Sequence, residues 1–210
     1  MLRNYLLVAI RNLSSHKLFS IINVLGLTIG LACVMLIALF VRSEVGFDTQ
    51  WANADRTYRV MRNFNPPGGG APLYLASNAP PVGPLLKLEY PQFERVVRLM
   101  DNTVVLNMAD SADSYFADPD VFEVFDIPLL QGNPQELFTG PFQVVIDEAL
   151  AHKYFPVGGA LGGTIMMSGD IPVRVTGVMA NLPRNTHLDA HAFVSMQTAD
   201  AILGDRMQSW

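Results

Sequence analysis

The chain has 210 residues, 50% hydrophobic and only 16% charged, a balance that excludes an intrinsically disordered protein. Its formal net charge of −5 offers no basic face for a nucleic acid. A single cysteine, Cys33, excludes an internal disulfide framework and a cysteine-built zinc site, and the mean hydropathy of +0.26 requires a strongly apolar segment somewhere in the chain.

At the N-terminus Leu2, Tyr5, Leu6, Ala9, Ile10 and Leu13 recur at helical spacing, with Arg3, Asn4, Arg11 and Asn12 among them. This predicts an amphipathic helix within residues 1–17, lying in a membrane interface with its basic side toward anionic lipid. A plain basic flank that only sets topology accounts for the same residues.

Residues 18–41 contain no Asp, Glu, Lys or Arg, and 15 of these 24 are Leu, Ile, Val or Phe. At about 1.5 Å per residue the run reaches roughly 36 Å, against a hydrocarbon core of roughly 30 Å. Its aliphatic and Phe residues contribute roughly −5 to −9 kcal/mol to insertion, which outweighs the uncharged polar Ser20, Asn23 and Thr28. A transmembrane helix over 18–41 is predicted. The run is too long for the core of a signal peptide, so an uncleaved anchor is expected. Arg3, Arg11 and Lys17 precede the span without any acidic residue, whereas Glu44, Asp48 and Asp55 follow it beside Arg42 and Arg56. The bias places the N-terminus in the cytoplasm and residues 42–210 outside a bacterial-type inner membrane.

Within the span, Gly26 and Gly30 form a Gly-x-x-x-Gly pair, and Asn23 and Cys33 fall near the same face. Small residues let two helix backbones approach, and a neighbouring helix would satisfy the Asn23 amide. Asn23, Gly26 and Gly30 are therefore the candidate helix-packing residues, where a charged substitution at either glycine is expected to abolish packing.

The remaining 169 residues carry a net charge of −8, since all 19 acidic residues and 11 of the 14 basic ones lie here. Runs rich in Val, Tyr and Phe predict strands at 57–62, 95–100, 103–108, 142–146 and 173–179, with helices at 84–90 and 147–154 and a Pro- and Gly-rich loop at 65–71. The fold class that follows is mixed α+β, with that loop as the candidate hinge between two subdomains.

Several side-chain patterns resemble sites. His187, Asp189 and His191 alternate, so on a strand they share one face, but no fourth ligand lies nearby and a surface strand explains them equally. The run from Gly158 to Thr164 lacks the lysine of a phosphate loop. No Gly-x-Ser-x-Gly turn presents a nucleophile. The acidic segment 109–120 reads as a solvated loop. No catalytic residue, metal site or cofactor is expected.

The order of motifs resembles one family. Ala9, Arg11 and Asn12, then Ile22–Leu27 leading into the span, resemble the start of MacB/FtsX-like ABC transporter permeases. Downstream, Phe47-Asp48, Asp55–Val60, Pro91, Val97-Arg98, Phe116–Pro119, Leu129-Leu130, Gly132–Pro134, Ala151, Lys153–Phe155, Val175–Val178 and Leu182-Pro183 with Asn185 and His187-Leu188 resemble the MacB-like periplasmic core domain. The resemblance implies a permease component whose partner, a cytoplasmic ABC ATPase subunit, closes on ATP and moves the periplasmic domain. It implies an ATPase contact through Leu2, Tyr5, Leu6, Ile10 and Leu13, and a structural role for His187. Further partners it implies are additional permease helices or a second permease copy, membrane lipid, and a periplasmic adaptor or substrate. The family carries more membrane helices after this domain, so the chain is expected to be an N-terminal piece, whether fragment, truncated frame or half of a split permease. The competing readings are a single-span anchored binding or adaptor module and a membrane-bound enzyme.

Overall fold

The computed structural model describes residues 4, 5, 7, 8, 11, 15–106, 110–183 and 185–208, with the backbone pairing alone for 102–106 and 110–112. The chain divides into two compact units, Met1–Phe47 and Asp48–Trp210.

In the first unit, helix α1 runs from Lys17 to Val45. Its 29 residues span about 43 Å at about 1.5 Å each. None of them is buried, and among the described residues this is the one helix long and apolar enough to cross a membrane. The helix passes beyond the apolar run because Arg42, Ser43 and Glu44 continue its hydrogen bonding, and it closes where Gly46 N donates to Arg42 O at 3.1 Å. Ahead of α1, Asn4, Tyr5, Leu7, Val8, Arg11 and Ser15 have helical backbone, and Tyr5 is exposed. Leu2, Leu6, Ile10 and Leu13 lie outside the described residues.

The second unit opens on a short ribbon, β1 (Arg62–Phe64) and β2 (Leu73–Leu75), which pair antiparallel around the Pro- and Gly-rich loop. Helix α2 (Val82–Glu89) follows. The strand expected at 57–62 begins five residues later. No residue from Asp48 to Asp101 is buried, so local composition in this stretch had no core to confirm it.

The main sheet has seven strands: β3 (Leu99–Leu106), β4 (Asp110–Ala117), β5 (Leu129–Gly132), β6 (Gln143–Asp147), β7 (Thr164–Met167), β8 (Ile171–Met179) and β9 (Ala192–Ser195). Their order is β5-β8-β6-β9-β4-β3-β7, and β7 also pairs with β8, so the sheet curls back on itself. Helices α3 (Val121–Val124), α4 (Glu148–Tyr154) and α5 (Met196–Leu203) flank it. The fold is mixed α+β, with β6–β8 and β4–β9 parallel among antiparallel neighbours.

Two expected strands, 95–100 and 103–108, are one continuous strand, β3, preceded by irregular chain at 95–98. The acidic segment expected as a loop is largely strand β4, registered against β3 from Leu99–Ala117 to Leu106–Asp110. Its polar sequence pairs because β3 and β9 supply hydrogen-bonding edges on both sides, a nonlocal condition that composition does not record.

The core consists of two apolar layers on opposite faces of the central strands. Val144 and Ile146 of β6, with Ala192 and Val194 of β9, enter one layer beside Ile165, Val173 and Met196. Val145 and Phe193 point the other way, into a layer with Val121, Phe122 and Leu137. β6 is buried on both faces and reads as an apolar run, and β8 reads through Val173 and Val175 alternating with exposed Pro172 and Arg174, whereas β9, buried throughout, is only four residues long and leaves too short a pattern.

Candidate functional site

On α1 the candidate packing residues occupy one stripe. At 100° per residue Asn23, Gly26, Gly30 and Cys33 fall within about 80° of arc. A side chain built at Gly26 or Gly30 would meet nothing within 4 Å, so the stripe is an open groove floored by backbone. Cys33 is free and exposed. Nearby, Thr28 turns inward on its own helix, its hydroxyl donating to Val24 O at 2.7 Å, and so presents no unsatisfied polar group to hydrocarbon.

In the outer unit the histidines separate into two acid–base pairs. Thr186, Leu188, Ala190 and Ala192 are buried while His187, Asp189 and His191 point outward, as alternation along an extended chain requires. His187 and His191 do not meet over a shared ligand, however. The His187 ring Nδ1 lies 2.6 Å from Asp48 Oδ2, and the His191 ring Nδ1 lies 2.6 Å from Asp147 Oδ2. Each carboxylate holds one imidazole and fixes its Nδ1–H tautomer. Among the described residues no three His, Cys, Asp or Glu side chains converge as metal ligands.

Asp147 is 2% exposed and caps α4, accepting from Leu150 N at 2.8 Å through Oδ1 while Oδ2 holds His191. Its own N–H donates to His191 O at 2.9 Å. The end of β6 is thereby tied to the approach to β9.

Asp48 is the other tie. Its backbone is left-handed, with φ +56°, and its carboxylate accepts from the Thr186 hydroxyl (2.7 Å), His187 N–H (3.0 Å), the His187 ring and Trp51 Nε1 (3.4 Å). Its N–H donates to Asn185 O at 3.0 Å. Burial alone raises this carboxyl, but the hydrogen bonds from Thr186, His187 and Trp51 outweigh it and lower the pKa from 3.8 to about 2. A depressed folded-state pKa contributes stability that is complete above about pH 4 and lost as the pH falls toward about 2. The carboxylate is 41% exposed, so solvent screening keeps this slope shallow. Asp48→Asn is expected to flatten the acid limb of a plot of Tm against pH between about 4 and 2. An acid limb as steep as the wild type's would show that other carboxylates set it.

A third cluster fastens α2 and the chain after it to the sheet. Arg98 grips Asp118 with its backbone N–H (3.0 Å), Nε (2.9 Å) and an Nη (2.8 Å). Hydrogen bonding to Asp118 raises the already high guanidinium pKa. The Arg98 stem fills the space over Gly83, where an added Cβ would come within 2.5 Å of it. Lys87 reaches Asp120 at 3.2 Å, and Arg95 pairs with both Asp120 and Glu123. Sequence reading found Asp147 as the acidic cap of the helix but not its pairing with His191, nor the pairing of Asp48 with Thr186 and His187. The available signal was the Pro183–His187 turn, whose polar residues needed an acceptor.

The remaining sequence features carry no assembled site. Gly158–Thr164 forms the turn into β7, and residues 110–117 are committed to β4.

These features define an α+β domain carried behind a helix of membrane length. The chain belongs to the MacB-like periplasmic core domain family, which matches residues 20–210, and is an ABC transporter permease-family periplasmic domain with its apolar helix. It is 28% identical over 195 residues to YvrN of Bacillus subtilis, described as an uncharacterized ABC transporter permease; the match covers 81% of this chain and 45% of YvrN. The chain thus spans about half the length of that curated relative. Its fold is similar to a domain of a protein described as a permease from Porphyromonas gingivalis, with TM-score 0.54 at 20% identity over 68% of this chain and 62% of that one. It is also similar to the periplasmic region of MacB from Actinobacillus actinomycetemcomitans, with TM-score 0.41 at 21% identity over 56% of each chain.

Proposed function

We propose that this chain is the membrane permease component of an ABC transporter that couples ATP hydrolysis by a separate cytoplasmic subunit to movement of its periplasmic domain. The observation that carries this reading is the family match over 20–210, which includes most of a helix running unbroken from Lys17 to Val45, two residues short of the outer unit's first residue. A continuous helix is a stiff element able to carry displacement from one side of a bilayer to the other. On this reading residues 1–17 lie at the cytoplasmic surface of the inner membrane, 18–41 span it, and 42–210 form the periplasmic core domain. Leu2, Tyr5, Leu6, Ile10 and Leu13 contact the ATPase, and the chemistry belongs to that partner.

The test is affinity purification of the tagged full chain from its native membrane in mild detergent, with mass spectrometry of the associated proteins. An ATP-binding subunit is expected to co-purify and to be lost when residues 2–13 are scrambled with their composition kept. Retention of that subunit by the scrambled chain would remove the N-terminal contact. Recovery of periplasmic proteins alone would replace the reading with that of an anchored binding module.

Asn23, Gly26 and Gly30 form the surface through which α1 packs on a further permease helix or a second copy. Gly26→Leu with Gly30→Leu fills the groove without adding charge, so insertion is expected to be unchanged while association drops at least tenfold, about 1.4 kcal/mol, in a membrane two-hybrid or FRET titration. Association equal to wild type would place the interface on another face.

A further inference from the structure

Residues 48–98 include a ribbon and a helix, yet none of their side chains is buried. A two-stranded ribbon with both faces exposed is marginal in water; the half-buried Arg98–Asp118 clamp fixes only the far end of this segment, and the ion pairs before it, such as Arg56–Glu94 and Lys87–Asp120, are exposed on at least one side and contribute little. A pull on the chain at residue 48 that had to pass through this segment would peel it away before the sheet moved. The structure offers a shorter route. Asp48 stands three residues after the end of α1 and binds a turn 137 to 139 residues further along the chain. That turn leads through buried Leu188 and Ala190 directly into β9. β9 lies between β6 and β4 in the middle of the sheet order, with residues in both apolar layers.

The geometry points to Asp48 as the residue through which tension on the chain leaving α1 enters the outer domain, passed from its carboxylate and N–H to the Asn185–His187 turn and so to β9 at the centre of the sheet. This rests on the coupling reading for its biological use, though not for its test. The left-handed backbone at Asp48 aims both the carboxylate and the N–H at that turn, and hydrogen bonds to a carboxylate are about twice as strong as neutral ones. Trp51 adds a second hold beside it, its ring edge-on to Phe125 at 5.6 Å while its Nε1 donates to Asp48. Asp48 is a positioning residue in this scheme. It transmits displacement and touches no transported molecule.

The experiment is single-molecule pulling on the full chain in detergent micelles, in a Cys33→Ser background, with one handle at Val45→Cys, an exposed position, and the other on a C-terminal tag. The wild-type clamp is expected to hold until the sheet itself unfolds. In Asp48→Asn an earlier, low-force release is expected, of up to about 170 Å for the roughly 50 residues from 48 to 97 at about 3.4 Å each. His187→Ala, which removes an exposed ring, is expected to produce the same early release at a force between the two. A control handle at Gln92→Cys, also exposed, applies the load beyond Asp48, and there both variants are expected to match the wild type. Early release in the wild type, or variants that match it when pulled from position 45, would overturn the assignment. So would equal weakening in both pulling directions, which would make Asp48 a general stability residue. If Asp48→Asn gives no sheet transition from position 92, it has not folded and His187→Ala decides by the same readings. No ATPase takes part, so failure here leaves the coupling reading intact, and loss of ATPase co-purification leaves this result standing.

Discussion

Gly132→Val is expected to lower the stability of the outer domain by about 4 kcal/mol, a fall in Tm on the order of 10 °C. Gly132 ends β5 at φ +106°, a left-handed conformation closed to a β-branched side chain. A Cβ there would lie 2.7 Å from Thr176 O and 3.0 Å from Gly177 Cα, both backbone atoms that cannot rotate aside. The partner position is equally tight, because a Cβ on Gly177 would lie 2.7 Å from Leu137 Cδ2. The two glycines face each other in register across β5 and β8, so the edge strand sits closer than side chains allow. Gly158→Ala is the matched control, since its added methyl meets nothing within 4 Å, and its Tm is expected to stay within about 2 °C of wild type. A Gly132→Val chain that melts with the wild type would mean that β5 is free to move off β8.

Asp147→Ala is expected to lower stability by about 3 kcal/mol, read as a shift in the urea midpoint of the full chain. The substitution removes the cap of α4 and, with it, the acceptor of the His191 imidazole, while Asp147 N–H keeps its bond to His191 O. Hydrogen exchange should quicken at Leu150, whose N–H loses its acceptor, and along the approach to β9. Asp147→Asn keeps an oxygen for the cap but gives up the charge opposite His191, so about half the loss is expected. Equal losses in the two variants would show that the cap contributes nothing and that the Asp147–His191 contact carries the whole effect.

The two predictions rest on features of different legibility. Asp147 before Glu148 and Ala149 reads as a helix start, and the structure places its side chain on Leu150 N, three residues on, because a capping bond is local. The pairing of Asp147 with His191 spans 44 residues and left no local trace. Gly132 is similar: in the sequence it figures only as part of the Leu129–Pro134 motif, whereas its actual constraint is the carbonyl of Thr176. His187 shows the same division. Its alternation with Asp189 and His191 placed the three on one exposed side of an extended chain, but that pattern contained nothing about Asp48, 139 residues away.

The sequence by itself determined α1, because hydropathy and length act along a continuous run and need no partner to be read. It also determined the α+β class and the strands β6 and β8, the first through an apolar run buried on both faces and the second through Val173 and Val175 alternating with exposed Pro172 and Arg174 before the buried Val178 and Met179. Only the tertiary structure decided that a polar, acidic segment is a central-sheet strand, that the sheet curls back through β7, and that Asp48 and Asp147 each hold a histidine beside the approach to β9. Strand pairing and carboxylate–imidazole contacts are satisfied between residues far apart in the chain, and the free energy that selects them belongs to the assembled sheet rather than to any short stretch of residues.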